Sequence, residues 1–254
     1  MSQRWLDCLE NYNTQALGGT IYRVVESQKI IATRSLVDDV HEQQLLEELL
    51  EQSKPAVAPE FEEQINDLDY LLWTPFRYPP LRFGSRFSTR FERGLFYAAR
   101  SVATALAETA YYRFFFWLGM SVPPPNGKLE TQHTAFGANI LTNHGVRLQA
   151  APFDQHRQVL TDRFDYAACQ ELGKALRADG VKAFEFASAR DTQEGINIAL
   201  VEPSVFKSKR PESHLHIICT TMADEVVFLD EKNQKTIHPM SDFLVDDVFP
   251  QPVG

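Results

Sequence analysis

The chain has 254 residues, 44% hydrophobic and 23% charged, enough to bury a core without disulfide or metal staples. Its formal net charge of −9 argues against a DNA- or RNA-binding surface, but not against a basic pocket for an anionic small molecule. Three cysteines, Cys8, Cys169 and Cys219, form an odd set without metal-ligand or redox spacing and read as reduced thiols of a cytoplasmic protein.

Met1 to Tyr12 is polar, and no apolar run approaches the roughly 18 residues of a membrane span, so neither a secretory signal nor a membrane partner is expected. Thr20 to Val25, after Gly18-Gly19, reads as a strand that carries Tyr22 and Arg23. Asp39, with Glu42 three residues on, caps a helix whose Leu45, Leu46, Leu49 and Leu50 form an apolar stripe, ended by Pro55. Residues 73–85 hold three prolines and a glycine and read as a loop. Leu95 to Ala99 is a strand, and Ser101 caps a helix running to about Leu118. On that helix Thr104, Ala105, Glu108, Tyr111 and Tyr112 share a face, and the small residues leave room beside the glutamate. Strands are expected at 134–140, 145–149, 181–187, 196–202, 214–221 and 225–230. A helix is expected from Tyr166 to Ala178, closed by Gly180. The pattern gives an α+β class with a mainly antiparallel sheet and flanking helices.

Charge is distributed unevenly. Between Tyr70 and Ala107 stand Arg77, Arg82, Arg86, Arg90, Arg93 and Arg100 against one acid, Glu92, a local charge of +5. Arginine forks bind phosphate oxygens, and the interleaved aromatics, Tyr97 among them, offer stacking surfaces. The alternative for any one of these arginines is a structural ion pair. Glu108 has the chemistry to stabilise an oxocarbenium-like centre, and its alternative is an exposed helix glutamate. Ser188 follows a strand without a nucleophile-elbow pattern. His214 and His216 alternate on one strand, but two histidines with no carboxylate partner make no metal site, and none is expected. Gly-x-Gly-x-x-Gly and P-loop patterns are absent.

Taken in order, Tyr22-Arg23, Leu81 to Ser88, Leu95 to Ala99, Ser101-x-x-Thr104-Ala105-Leu106-Ala107-Glu108, Ala187-Ser188-Ala189-Arg190 and Gly195-Ile196-Asn197 resemble the RES domain over about residues 21–205. The resemblance implies an ADP-ribosyltransferase-like core with a split sheet, in a single domain spanning 1–254. It also implies insertions at about 26–75 and 119–165 and a C-terminal extension, 206–254. It implies a toxin that consumes NAD⁺ as substrate, with no cofactor required, by hydrolysis or phosphorolysis of the nicotinamide–ribose bond. An Xre-type antitoxin would neutralise it. The alternatives are ADP-ribosylation of a protein and a non-catalytic NAD- or partner-binding module. A homodimer is left open, and no direct nucleic-acid contact is implied. In roles, Glu108 is the catalytic carboxylate, assisted by Arg86 and Tyr97. Tyr22, Arg23, Arg86, Tyr97, Ser188 and Asn197 bind the dinucleotide, with Arg82 and Arg90 as rivals for Arg86.

Overall fold

A computed structural model describes residues 3–27 and 37–251. Among these the helices are α1 (Gln3–Asn11), α2 (Val40–Ser53), α3 (Glu62–Ile65), α4 (Tyr70–Arg77), α5 (Val102–Leu118), α6 (Arg157–Leu160) and α7 (Ala167–Ala178). The strands are β1 (Gln15–Glu26), β2 (Phe96–Ala99), β3 (Leu129–Arg147), β4 (Ala183–Ala187), β5 (Ile196–Leu200), β6 (Ser213–Thr221), β7 (Glu225–Asp230) and β8 (Lys235–Pro239). They form one eight-stranded sheet in the order β1-β2-β5-β4-β3-β6-β7-β8, with an additional β1–β3 pairing. Only β3 and β4 run parallel, so the fold is α+β with a mainly antiparallel sheet.

The long strand β3 explains the split. One of its edges takes β1 along almost its whole length. The other is shared: residues 129–137 pair with β6, and 145–147 pair with β4. Because β1 also meets β2, at Tyr22 and Ala99, the strands β1, β2, β5, β4 and β3 close on themselves. The β1–β2 ladder is confined to that pair, and beyond it the two strands part.

Several expectations need correction. The strands expected at 134–140 and 145–149 are one strand, β3, continuous through Gly145. Segments 119–165 and 206–254 carry β3 and β6 to β8 of the same sheet. The expected loop 73–85 begins inside α4. Asp69 caps that helix by accepting from Leu71 N at 2.9 Å, and burial of Leu72 and Phe76 outweighs the hydrogen bond lost at Pro75. Helix α1 and strand β8 have no counterpart among the expected elements. Asp39 does cap α2, accepting from Glu42 N at 2.8 Å, but Leu45, Leu49 and Leu50 of its apolar stripe stay exposed. Part of the expected 26–75 insertion, residues 28–36, lies outside the described residues.

Two helices do most to shape the interior. Helix α5 is started by Ser101, whose Oγ accepts from Thr104 N at 3.1 Å, and it buries Ala105, Leu106, Ala107, Ala110 and Phe114. Helix α7 holds the loop after α4. Gln170 Nε2 donates to Ser85 O at 3.0 Å, and Arg177 Nη1 donates to Phe87 O at 3.0 Å and to Ser88 Oγ at 2.8 Å. Phe87 is fully buried under this helix and packs edge-on against Phe184 and Phe186.

Gly173 permits this approach, because a Cβ there would lie 2.2 Å from Phe87 O. Gly173→Ala is therefore expected to overpack the α7–loop contact, which costs about 1–3 kcal/mol and lowers Tm by roughly 2–10 °C. A calorimetric scan checks this; an unchanged Tm would mean that α7 can retreat without loss.

Candidate active site

A cavity of about 330 Å³ opens where β1 and β2 part, roofed by α5. Its wall includes Tyr22, Arg23, Ser85, Arg86, Tyr97, Ala105, Glu108, Thr109, Tyr112, Tyr166, Phe186, Arg190 and Asn197. A second hollow adjoins it along Val24, Thr109 and Tyr112.

Glu108 projects from α5, and the small residue Ala105, one turn earlier, leaves the space beside it open. Its Oε1 accepts two hydrogen bonds, from Ser188 Oγ at 2.6 Å and from Asn197 Nδ2 at 2.5 Å. Oε2 accepts none from any described residue. Ser188 is a buried hub: its Oγ also accepts from the backbone N of Arg190 at 3.1 Å and of Asp191 at 3.0 Å, which fixes the turn after β4. Ser188 thus stands behind the carboxylate and holds it, while Asn197 both holds Glu108 and faces the cavity.

Arg23 follows the last β1–β2 pair and bridges the parting strands with its side chain. Its Nη1 donates to Tyr97 O at 2.8 Å, and its guanidinium lies over the Phe96 ring at 4.9 Å. Burial pulls its pKa down to about 10, which still leaves it protonated at neutral pH. Arg86 is buried and donates from Nη1 to Asp162 O at 2.7 Å and Leu160 O at 3.1 Å, with its guanidinium 4.5 Å from the centre of the Tyr166 ring. Tyr97 secures the same loop, because its hydroxyl accepts from Phe87 N at 3.2 Å and pairs with Ser85 Oγ at 2.9 Å. Burial pushes its pKa up to about 12, against the lowering effect of those hydrogen bonds, so the phenol stays neutral.

The rival arginines separate cleanly. Arg77 pairs with Glu51, Arg93 with Glu60, and Arg100 with Glu185 at 2.6 Å. Arg82 and Arg90 are exposed and stack on the neighbouring rings of Phe83 and Phe91. Of the six, Arg86 alone lines the cavity. Tyr22, Arg23, Arg86, Tyr97, Glu108 and Asn197 are brought together on one wall, with Ser188 directly behind it.

Sequence reasoning did not single out Arg190 and Tyr166. Arg190 Nη2 donates to Tyr166 OH at 3.0 Å and to Arg163 O at 3.2 Å, and its guanidinium lies 3.7 Å from the centre of the Tyr111 ring. Tyr166 arrives from the start of α7, far away in sequence, and carries no local signal. Arg190 stands two residues after Ser188, and that proximity was the available clue.

Three guanidinium groups against one carboxylate give this wall a formal charge of +2 in a chain of −9. The fold and site thus define an α+β protein with an arginine-walled cleft around a single pinned carboxylate. The chain belongs to the RES domain family: the family model matches residues 63–219, more than half of the chain. That match contains Arg86, Tyr97, Glu108, Ser188 and Asn197, whereas Tyr22 and Arg23 precede it and reach the site through β1. Among solved structures, the chain is similar to one described as the M.tuberculosis MbcT-MbcA toxin-antitoxin complex. The likeness is at 9% identity and a TM-score of 0.47, over 85% of this chain and 92% of that chain. No curated protein matches.

Ser188→Ala removes one hydrogen bond to Glu108 and leaves two backbone donors, those of Arg190 and Asp191, without their acceptor. At about 1 kcal/mol per bond, the expected loss is about 2–4 kcal/mol, a Tm lower by roughly 5–12 °C. Differential scanning fluorimetry decides; a shift below about 2 °C would show that the Ser188 hydroxyl does not anchor this turn.

Proposed function

We propose that this cleft binds NAD⁺ and breaks its nicotinamide–ribose bond, and that the protein acts as a toxin. The observation that carries this reading is the pinned carboxylate of Glu108 inside a wall of three arginines, of which Arg86 and Arg190 are buried. Two donors hold Oε1, so Oε2 is the oxygen left to face a reacting centre. Such a carboxylate needs no reorganisation to meet positive charge as it develops.

In NAD⁺ the bond between the ribose C1′ and the pyridinium nitrogen breaks with its electron pair leaving on nitrogen, so nicotinamide departs neutral. The positive charge passes to the ribosyl centre as an oxocarbenium-like species, which Glu108 stabilises electrostatically. The anionic pyrophosphate is held by Arg23 and Arg86, whose guanidinium groups are already fixed by main-chain carbonyls. Tyr97 and Tyr22 supply aromatic surface beside them. The acceptor then adds to the ribosyl carbon: water, giving up one proton to solvent, yields ADP-ribose, and phosphate yields ADP-ribose 1″-phosphate. The hollow adjoining the cavity along Val24, Thr109 and Tyr112 gives an acceptor a route of approach. It also supports a second reading, in which the acceptor is a side chain of another protein. The partner implied for the cleft is an Xre-type antitoxin that covers it, and the site of action is the cytoplasm.

Glu108→Gln keeps the shape of the side chain. Its amide oxygen still accepts from Ser188 and Asn197, so the pocket is preserved while the negative charge is lost. Nicotinamide release, followed by chromatography, should fall at least about a hundredfold, and NAD⁺ affinity by calorimetry should change less than about threefold. Turnover at the wild-type rate would remove Glu108 from the chemistry.

A further inference from the structure

Building on that reading, we propose that Arg190 is a further ligand-binding residue, whose Nη1 donates to a phosphate oxygen held in the cavity. Arg190 is only 2% exposed, and it lines the cavity wall. Its position is fixed three times over: Nη2 donates to Arg163 O and to Tyr166 OH, the guanidinium face lies on the Tyr111 ring, and the backbone N donates to Ser188 Oγ. Nη1 is different. It is buried and has no hydrogen-bond partner among the described residues.

A buried charged donor left unsatisfied is costly, and proteins keep such groups where a ligand completes them. The ligand class follows from the donor. A guanidinium presents N–H groups only, so its partner is an acceptor, and an oxyanion compensates its charge as well. The surroundings favour an anion too, because Arg86 and Arg23 stand on the same wall. Burial, and then the charges of Arg190 and Arg86, lower the pKa of neighbouring Arg163. Because Ser188 Oγ contacts both Glu108 and the Arg190 backbone, the anion site is held in register with the carboxylate. The phosphate belongs either to the pyrophosphate of the dinucleotide or to a separate inorganic phosphate poised as acceptor.

The full chain and its Arg190→Met and Arg190→Lys variants are titrated with ADP-ribose, with inorganic phosphate, and with nicotinamide, which carries no phosphate. ADP-ribose and phosphate are followed by calorimetry, and nicotinamide by ligand-observed NMR. Loss of the charge-assisted bond should weaken the phosphate-bearing probe at least about tenfold in Arg190→Met and leave nicotinamide affinity unchanged. Weakening of ADP-ribose alone assigns the contact to the pyrophosphate. Weakening of inorganic phosphate, with or without ADP-ribose bound, assigns it to a separate phosphate. Equal weakening of all three probes would mean a purely structural arginine, and unchanged affinities would mean no contact; either overturns the proposal, as does a wild-type chain that binds neither phosphate-bearing probe. Should Arg190→Met fail to fold, Arg190→Lys, which keeps the charge but not the fork, is read by the same criteria. If phosphate binds through Arg190 but NAD⁺ and ADP-ribose do not bind, the anion site stands and the NAD⁺ reading falls.

Discussion

The architecture of the site depends on one oxygen atom. Oε1 of Glu108 receives Ser188 Oγ and Asn197 Nδ2, and these two bonds tie α5 to the end of β4 and to β5. A carboxylate on a helix would otherwise be a flexible group in search of water. Here the strand residues fix its direction before any ligand arrives, at the cost of a buried serine that must in turn satisfy two backbone donors. Gly195 makes the arrangement sterically feasible, because a Cβ there would strike the Thr104 side chain of α5. Helix, turn and strand therefore form one constrained unit around the carboxylate.

The second constraint is electrostatic. A chain of −9 concentrates three arginines on one concave wall, and each is held by a main-chain carbonyl and an aromatic ring. Arg23 stitches two strands at the point where their ladder ends. Arg86 is gripped by two carbonyls, and Arg190 rests on an aromatic face. Guanidinium groups fixed by carbonyls and rings keep their charge for something else, unlike Arg77, Arg93 and Arg100, whose charge is spent on acidic partners. The C-terminal segment joins this support. Tyr111, which carries Arg190, donates its hydroxyl to Pro250 O at 2.8 Å and stacks on Phe249.

Much of this was legible in the sequence because it is local. The Ser101 cap and the small residues around Glu108 announce a helix with room on one face, and Asp39 announces α2. The clustered arginines announce a basic patch inside an acidic chain. What was not legible is what depends on distant partners. Arg82, Arg86 and Arg90 repeat the same Arg-Phe pair, yet Arg86 is buried against Leu160 O, Asp162 O and the Tyr166 ring beside a buried Phe87, while its neighbours face solvent. The role of Ser188 as a clamp on Glu108, across 80 positions of chain, had no local signature. The expected strands at 134–140 and 145–149 left out residues 141–144, which β3 includes; Gly145 is needed within it because a Cβ there would collide with Leu17 on β1. Helix α4 was hidden by Pro75, whose cost is outweighed by burial that a sequence does not display.

The most direct test of NAD⁺ cleavage at this site is proton and phosphorus NMR of NAD⁺ incubated with the purified chain, with and without inorganic phosphate. Free nicotinamide is predicted in at least one of the two conditions, accompanied by ADP-ribose or by its 1″-phosphate. NAD⁺ that stays intact in both conditions, with no protein modified, would contradict the claim that Glu108 and its arginine wall cleave the nicotinamide–ribose bond.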